Sequence, residues 1–310
     1  MSQLSSKLRI VFMGTPEFSV PSLDLLVEKG WHVVAVITAP DKPQGRGKKP
    51  GTSPVKEAAL KHQIPVLQPI NLKSAEFIEE LKSYRADVQV VVAFRMLPEA
   101  VWNMPPKGTF NLHASLLPDY RGAAPINWAI IQGEKETGVT TFFLKHEIDT
   151  GSIIFQENEP ILPVDNMGTL YEKLKIQGSK LVLKTIEAIA KGDPEVKKQD
   201  ETKALHKAPK IFKETGKINW LDSAENIHNL VRGLSPYPAA WTKIKDKTCK
   251  IFKSEVIQGD LKGKDAGEYE TDGKTYLFFQ TGKNKVSILD LQLEGKKRMP
   301  IEDFLRGNRL

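Results

Sequence analysis

The sequence predicts an α/β protein in two parts, a domain with a predominantly parallel sheet and, after it, a small antiparallel β-barrel domain. The first observation is the length of 310 residues, which is more than one compact domain usually contains. The second is that short runs rich in valine and isoleucine alternate with longer amphipathic segments over the first two thirds of the chain. The third is that the last third consists of short alternating runs bounded by turn residues, which is typical of a small barrel.

The apolar runs in the first part have the length of strands. In chain order they are LRIVFMG, HVVAVIT, PVLQP, ADVQVVVAF, GTFNLH and GVTTFFLK. Helix-like segments such as FSVPSLDLLVEKG, VKEAALKHQ and SAEFIEELKSY stand between them. Strands that are apolar on both faces are typical of a parallel sheet covered by helices, and such a sheet binds its ligands at the carboxyl ends of the strands.

A long helix is predicted from about Thr169 to Lys191, and the polar stretch KGDPEVKKQDETKALHKAPK follows it. After that stretch come one helix-like segment, ENIHNLVRGL, and the alternating runs. We therefore predict a first domain over residues 1–191, a linker over residues 192–207 and a second domain over residues 208–310.

The composition indicates a soluble protein of the cytoplasm. Hydrophobic residues make up 40% of the chain and charged residues 27%, and no apolar run approaches the roughly 18 residues of a membrane span. The opening MSQLSSKLR lacks the apolar core of a signal peptide, and the single cysteine, Cys249, cannot form an internal disulfide. We expect no contact with a membrane.

The positive charge of the chain is concentrated in its last third. Residues 207–310 contain 20 lysines and arginines against 14 acidic residues, whereas residues 1–206 contain 25 against 24. A basic second domain suits a polyanion such as nucleic acid, although an ordinary solvated surface explains the same charge.

Two segments that precede the middle of the chain resemble nucleotide-binding motifs without matching them. VFMGTPEF has one glycine, Gly14, where a dinucleotide fingerprint needs three, and no acidic residue ends the second strand. Gly14 instead predicts a sharp turn beside which a ligand lies. The flexible segment DKPQGRGKKPGTS is no Walker loop, and its role as a phosphate-contacting arm or as a solvated loop stays open. Its candidate phosphate contacts are Lys42, Arg46, Lys48 and Lys49.

The strand GTFNLH carries two polar residues that are candidates for catalysis. Residues of a strand alternate between its faces, so Asn111 and His113 share one face. His113 ends the strand, where the chain turns through ASLLPDYRG toward a helix that begins near Ala123 or Ala124. An amide and an imidazole at this edge can donate hydrogen bonds to an oxygen that becomes negative during a reaction at a carbonyl. The alternative is a structural histidine.

Asp149 is the candidate partner of His113. In a parallel sheet the end of GVTTFFLK lies at the same edge as the end of GTFNLH, so we expect Asp149 to approach His113 from the following turn. A carboxylate there favours the imidazolium and fixes the ring. Asp-Thr-Gly is also an ordinary turn sequence, which leaves a structural role open.

Two other kinds of site use the same residues. A metal site could combine His113 and Asp149 with His146 and Glu147, but the spacing of the last two matches no ligand motif. Ser115 could be a nucleophile, but no G-x-S-x-G elbow surrounds it. We expect neither a metal nor a serine nucleophile.

Taken together, these residues resemble the folate-dependent formyltransferases. The matching motifs are Asn111-x-His113, SLLP at 115–118, YRGAAPI at 120–126 and DTG at 149–151. The resemblance to the family members that act on methionyl-tRNA extends to IVFMGTPEF, PDKPQGRGKK and INWLDSAENIHNLVRGLSPYPAAWT, so that it covers nearly the whole chain.

The resemblance implies a Rossmann-like catalytic domain and an OB-like barrel that binds tRNA. It implies 10-formyltetrahydrofolate as formyl donor, the amino group of methionyl initiator tRNA as acceptor, no metal, and a role in translation initiation; we expect a monomer. Asn111, His113 and Asp149 occupy the family's catalytic positions. The implied folate contacts are Ser115, Leu116, Leu117, Pro118, Phe94, Arg95, Met96 and Leu97. The implied tRNA contacts are Lys42, Arg46, Lys48 and Lys49, in the loop that similar enzymes insert at the acceptor end.

One segment departs from the family pattern. The folate-pocket loop of the family reads like AYGLILP, whereas Ala93 to Pro98 reads AFRMLP, which is one residue shorter and carries Arg95 in place of a small or apolar residue.

Two other functions are open to a chain of this kind. A formyltransferase for a small amine, such as a ribonucleotide or an amino sugar, requires neither a basic arm nor a basic second domain. A noncatalytic RNA-binding protein has no use for an intact set of Asn111, His113 and Asp149.

Overall fold

The computed structural model describes residues 8–44, 49–192 and 194–308. The chain divides into two compact units, and each has its own apolar core. The first unit takes the chain up to Arg121 and then Gly138–Glu159 and Glu172–His206. The second unit takes Gly122–Thr137, Pro160–Tyr171 and Lys207–Leu310. The domain boundaries proposed from the sequence stay predictions.

The helices and strands are numbered in chain order. Up to residue 113 they are β1 (Arg9–Gly14), α1 (Val20–Glu28), β2 (His32–Ile37), β3 (Lys42–Gln44), β4 (Lys49–Gly51), α2 (Pro54–Lys61), β5 (Val66–Leu67), α3 (Ala75–Ser83), β6 (Val88–Val92), α4 (Glu99–Trp102) and β7 (Thr109–His113). From there to residue 191 they are β8 (Arg121–Gly122), α5 (Pro125–Ile131), β9 (Glu136–Phe143), β10 (Ile153–Pro160) and α6 (Met167–Lys191).

The remaining elements lie in the last third of the chain. They are β11 (Lys207–Ala208), α7 (Ala224–Leu234), β12 (Ala240–Ile244), β13 (Lys247–Ile257), β14 (Tyr269–Thr271), β15 (Leu277–Gln280), β16 (Lys285–Leu293), β17 (Met299–Pro300) and α8 (Ile301–Gly307). Short 3₁₀ helices occupy Glu17–Ser19, Glu201–Lys203 and Glu214–Gly216.

The first unit is built on a seven-stranded sheet with the order β10-β9-β7-β6-β1-β2-β5. The five strands from β7 to β5 in this order run parallel to one another. Every residue of β6 is buried, as are the last five of β1 and of β2, because these strands have apolar side chains on both faces. The predicted Rossmann-like, predominantly parallel sheet is confirmed.

The predicted direction of GVTTFFLK is wrong. Strand β9 runs antiparallel to β7, with His113 opposite Thr140 and Phe110 opposite Phe143. A parallel neighbour needs a crossover that returns the chain to the same edge of the sheet. The helix between the two strands, α5, packs with α7 in the second compact unit and does not form such a crossover within the first.

Local interactions define the ends of the helices. Ser53 caps α2 by accepting a hydrogen bond from the backbone N–H of Lys56 at 3.1 Å, and Pro54 occupies the first turn. Helix α6 spans the predicted long helix within two residues. Helix α5 begins at Pro125, next to the predicted start. Within the described ranges, no helix combines the length and apolar character that crossing a membrane requires.

Gly14 ends β1 where other atoms come very close. A Cβ at this position would lie 2.7 Å from Cβ of Ser19 and 3.0 Å from the carbonyl oxygen of Val92. The Ser19 hydroxyl donates a 2.6 Å hydrogen bond to that same carbonyl. Gly14 therefore lies where β1, the turn that follows it and β6 approach one another closely.

The second unit contains an antiparallel sheet of six strands. Its order is β12-β13-β16-β15-β14, and β17 pairs with β16. Helices α7 and α8 bury Ile227, Val231, Phe304 and Leu305 in the same core as the sheet. This antiparallel half-barrel confirms the predicted fold class of the C-terminal part.

Candidate active site

The carboxyl end of β7 presents the two polar residues that the sequence singled out. Asn111 and His113 lie two positions apart on one strand, so both side chains leave the same face. Asn111 is half-buried, and within the described part of the chain its amide has no hydrogen-bond partner. His113 is only 6% exposed. The strand therefore brings a free amide and a nearly buried imidazole to one end of the sheet.

The ring of His113 is held between a carbonyl and a carboxylate. Its Nε2 lies 2.9 Å from the backbone oxygen of Tyr120, and its Nδ1 lies 4.0 Å from Oδ2 of Asp149. A backbone carbonyl can only accept a hydrogen bond, so Nε2 must carry a proton. Nδ1 is then the ring nitrogen that this hydrogen bond leaves available.

Tyr120 adopts an uncommon backbone conformation at this contact. Its φ of 58° lies in the left-handed region, which costs a residue other than glycine about 1 to 2 kcal/mol. Two interactions with His206 help to hold it: the Tyr120 N–H donates to the His206 carbonyl at 3.0 Å, and the two rings stack with centroids 5.1 Å apart. The Tyr120 carbonyl that orients His113 is therefore held in place by His206, the last residue of the first unit.

Asp149 reaches His113 by a route that the sequence did not reveal. Since β9 runs away from the His113 end of β7, the segment between β9 and β10 must bring Asp149 back. Asp149 itself has a φ of 55°, which again is left-handed. A Cβ at Gly151 would lie 1.6 Å from the carbonyl oxygen of Phe143, so only glycine fits where this segment passes the end of β9.

Gln199 joins this segment to the chain that follows α6. Its Nε2 donates to the carbonyls of Asp149 and Gly151, each at 2.8 Å. Its Oε1 accepts from Arg121, at 3.2 Å from Nε and 2.5 Å from Nη2. The guanidinium of Arg121 also contacts both carboxylate oxygens of Glu201, and this hydrogen bonding lowers the pKa of Glu201.

The segment SLLP turns most of its side chains inward. The hydroxyl of Ser115 donates to the Asp119 carbonyl at 2.7 Å, and Leu117 belongs to a small buried cluster. Thr140 braces the backbone by donating to the Ser115 carbonyl at 2.6 Å and accepting from the Leu117 N–H at 3.2 Å. Pro118 is buried and Leu116 is half-buried. A ligand can therefore meet Leu116 and backbone groups of this segment.

The four predicted folate contacts at 94–97 separate into two kinds. Phe94 and Leu97 pack on the core of the first unit, whereas Met96 is 73% exposed. The guanidinium of Arg95 donates to the carbonyls of Pro69 and Ile70, the latter at 3.0 Å. The residue that departs from the family pattern thus ties the shortened loop to the turn after β5.

The ends of the basic arm form a hairpin. Strands β3 and β4 pair antiparallel, with Lys42 opposite Gly51 and Gln44 opposite Lys49. Lys42 is exposed. The predicted contacts Arg46 and Lys48 lie outside the described residues. Asp41, at the base of the hairpin, is neutralised by Lys56 at 2.5 Å, whose hydrogen bond lowers the pKa of that carboxylate.

The alternative sites considered from the sequence receive little support from these contacts. His146 is 74% exposed, lies 3.3 Å from Glu99 and packs edge-on against Trp102, so it does not join His113. The Ser115 hydroxyl donates to a backbone carbonyl and not to the imidazole.

Comparison with known proteins places the chain in a family. The family profile described as formyl transferase matches residues 8–186, and the profile described as formyl transferase, C-terminal domain, matches residues 210–309. The chain belongs to the formyl transferase family. A methionyl-tRNA formyltransferase of Azobacteroides pseudotrichonymphae is 53% identical over 317 residues, which cover 98% of this chain and 97% of that protein. A methionyl-tRNA formyltransferase of Bacteroides fragilis is 53% identical over 308 residues, covering 97% and 95%.

Solved structures share the fold of this formyltransferase at low sequence identity. An N-formyltransferase from Helicobacter canadensis, in complex with folinic acid and dTDP-3-aminofucose, has a TM-score of 0.68 at 23% identity and covers 91% of this chain and 98% of its own. HypX from Aquifex aeolicus, in complex with tetrahydrofolic acid, has a TM-score of 0.65 at 19% identity and covers 97% of this chain and 47% of its own.

Sequence reasoning missed three residues that surround the candidate catalytic pair of this formyltransferase. Tyr120 meets the ring of His113 through its backbone carbonyl, a group that any residue could supply. Arg121 stands in the motif YRGAAPI and Gln199 stands 78 positions later in the predicted linker, and nothing in either segment indicates that the two side chains meet. The motif YRGAAPI drew attention to the segment of Tyr120 and Arg121 without giving either residue a role, and Gln199 had no signal besides its polarity.

Proposed function

We propose that this enzyme transfers the formyl group of 10-formyltetrahydrofolate to the free amino group of methionyl initiator tRNA, for translation initiation. Relatives about half identical to the chain over nearly their whole length carry the name of this activity. One observation at the end of β7 carries the proposal. The amide of Asn111 is free there, and in the ring of His113 Nε2 bonds to the Tyr120 carbonyl while Nδ1 faces Asp149.

The reaction begins with direct attack of the amine on the formyl carbon. An α-amino group has a pKa of roughly 8, so a useful fraction is neutral near pH 7 and no strong base is required. The attack places a negative charge on the formyl oxygen in a tetrahedral intermediate that is not bonded to the enzyme. Asn111 can donate an N–H to that oxygen, and one well-placed donor typically stabilises such a transition state by about 3 to 4 kcal/mol.

His113 can serve the same oxygen only through Nδ1, because Nε2 donates to the Tyr120 carbonyl. In the protonated ring Nδ1 carries a second donor for the oxyanion. In the neutral ring Nδ1 is an acceptor for the proton that the amine releases. Asp149, with its Oδ2 4.0 Å from Nδ1, holds the ring in place and helps to pass the amine proton to the departing folate nitrogen.

The fit of a reduced folate rests on two loops of the first unit. SLLP supplies backbone groups and the half-buried Leu116, and the loop at 93–98 supplies Met96 on its exposed side. The braces from Thr140 and Arg95 keep both backbones in place before a ligand arrives. A flat ring with polar edges is suited to such surfaces, in which apolar side chains alternate with fixed backbone donors and acceptors.

The acceptor is proposed to be a tRNA because of the distribution of charge. The arm with Lys42, Arg46, Lys48 and Lys49 and the excess of 20 basic over 14 acidic residues in 207–310 suit a phosphate backbone. We place the enzyme in the cytoplasm, where translation takes place, and expect it to act as a monomer.

The test offers formylated folate to the enzyme together with charged initiator tRNA, charged elongator tRNA or free methionine in parallel reactions. Rapid formylation of the initiator, with at least tenfold slower reaction of the other two, is expected. Preferential formylation of free methionine would instead support a small-amine enzyme. Retention of tRNA on a filter without any formyl transfer would support a noncatalytic RNA-binding protein.

A further inference from the structure

We propose that Gln199 is a positioning residue that holds the catalytic carboxylate of Asp149 in reach of His113. This inference rests on the proposed function, since it assigns a purpose to Gln199 only if Asp149 takes part in formyl transfer. It concerns a side chain that lies 50 positions after Asp149 and outside every recognised motif of the chain.

Gln199 forms two hydrogen bonds with the backbone around Asp149. Gln199 is only 4% exposed, and its Nε2 donates both N–H groups to one short stretch, at 2.8 Å to the carbonyl oxygen of Asp149 and 2.8 Å to that of Gly151. These two carbonyls belong to the residues on either side of Thr150. The two bonds therefore fix the backbone from Asp149 to Gly151. A single side chain thereby sets the backbone from which the carboxylate projects.

The side chain of Gln199 is itself held in one orientation by Arg121. Arg121 donates to Gln199 Oε1 through Nη2 at 2.5 Å and through Nε at 3.2 Å, which prevents the amide from turning over. The same guanidinium is anchored on Glu201 at 2.8 and 2.9 Å. Because the oxygen faces Arg121, the nitrogen must face the loop, and no other orientation satisfies both ends.

The backbone at Asp149 adopts a conformation that needs support from its surroundings. Asp149 has a φ of 55°, a conformation that side chains other than glycine rarely adopt, and its carboxylate lies 4.0 Å from His113 Nδ1, beyond direct hydrogen-bond distance. A displacement of about 1 Å in such a site can slow a reaction by about 100-fold. Residues that hold the loop therefore act on the rate without touching a substrate.

The same segment supports the other member of the pair. Lys197 exchanges two backbone hydrogen bonds with Ile153, both at 2.8 Å, and the His206 carbonyl accepts from the Tyr120 N–H at 3.0 Å. Tyr120 in turn orients His113 through its own carbonyl. Residues 197–206 thus contact both the loop of Asp149 and the residue that fixes the ring of His113.

The experiment uses the full-length variants Gln199→Leu and Gln199→Glu, assayed by single-turnover transfer from labelled 10-formyltetrahydrofolate to charged initiator tRNA. Glutamate keeps the acceptor for Arg121 but has no N–H for the loop, so it isolates the two bonds and serves where leucine impairs folding. Both variants should lower the rate about 10- to 100-fold, with the KM for each substrate changed less than threefold. Gln177→Leu is the matched control, because Gln177 makes a similar bond to the Asn158 carbonyl at 2.9 Å, and it should keep the wild-type rate.

A double-mutant cycle with Asp149→Asn identifies the route of the effect. If Gln199 acts through Asp149, the rate of the double variant should be less than threefold below that of Asp149→Asn alone. If the rate loss of the double variant equals the product of the two single losses, Gln199 acts elsewhere and the inference is overturned. A wild-type rate for Gln199→Glu, together with an impaired Asp149→Asn, would overturn it as well. A wild-type rate for Asp149→Asn alone would overturn the catalytic assignment of the proposed function together with this inference.

Discussion

The two sides of the candidate active site are positioned by different means. At the end of β7, Asn111 and His113 owe their common direction to the alternation of a strand that is paired on both sides. Across from them, Asp149 lies in a segment without regular structure, with a left-handed backbone and with carbonyls held by Gln199 from 50 positions away. The placement of Asn111 and His113 follows from three consecutive residues of one strand, whereas the placement of Asp149 depends on contacts between distant parts of the chain.

This difference predicts two kinds of mutational effect. A change at the end of β7 should remove a chemical group and leave its surroundings in place, because the strand is fixed by its neighbours. A change around Asp149 should displace a group that is still present. The first kind lowers turnover steeply, and the second lowers it in proportion to the displacement.

The largest effect is expected for His113→Ala. Turnover should fall at least about 100-fold, which corresponds to roughly 3 kcal/mol of transition-state stabilisation, while tRNA affinity stays nearly unchanged. Single-turnover formyl transfer and filter binding measure the two quantities. His62→Ala, which alters a histidine paired with Asp24 on the same unit, is the control. An unaltered rate in His113→Ala would remove this side of the site from the mechanism.

A smaller effect is expected for Gly151→Ala. A Cβ would collide with the Phe143 carbonyl, so the segment must shift and carry Asp149 with it. We expect turnover to fall about tenfold, below the loss in His113→Ala, because the carboxylate is moved and not removed. Gly307→Ala is the control, since among the described residues no atom beyond its own helix and chain neighbours lies within 4 Å of the Cβ that it adds. A loss as large as that of His113→Ala would contradict the distinction between the two sides.

Arg46→Ala should affect binding and not the chemistry of either side. Loss of one phosphate contact is expected to weaken the tRNA complex a few-fold and to reduce the slope of log affinity against log salt by about 1. The measurement is tRNA affinity at several salt concentrations, with Lys61→Ala as the control on an exposed helix position. A slope equal to that of the wild type would rule out the contact.

His228→Gln, in the second compact unit, should leave activity unchanged and alter the pH dependence of stability. Burial, followed by the charge of Arg232, lowers the pKa of His228 from 6.5 to about 4, so the folded state favours the neutral ring. The unfolded chain binds the proton first as pH falls, and stability is therefore lost between pH 6.5 and about 4. Allowing for partial solvent exposure, we expect a loss of about 1 to 2 kcal/mol in the wild type.

Urea unfolding at pH 7.5 and pH 4.5 tests this prediction. His228→Gln should flatten the difference between the two free energies of unfolding, whereas the exposed His32→Gln should retain it. Equal pH dependence in wild type and His228→Gln would show that another group controls the loss. Formyl transfer at pH 7.5 should be the same in all three proteins.

Much of the fold could be predicted because its signals are local. The apolar runs that became β1, β2, β6 and β7 are buried as their composition indicated, and α6 follows its apolar periodicity. The direction of β9 could not be predicted, since it depends on where α5 packs, and α5 packs with α7 about 100 positions later in the chain. Periodicity reports which faces are buried and carries no information on how a connection runs.

The sequence by itself determined that Asn111 and His113 leave the same face of a strand, because alternation is a property of any strand. It also determined membership of a formyltransferase family through motifs spread over the chain. Only the tertiary structure decided which nitrogen of His113 remains available and how Asp149 reaches it, since both depend on the carbonyl of Tyr120 and the carboxamide of Gln199. Hydrogen bonds between distant residues are set by packing, and packing leaves no periodic signal in a single sequence.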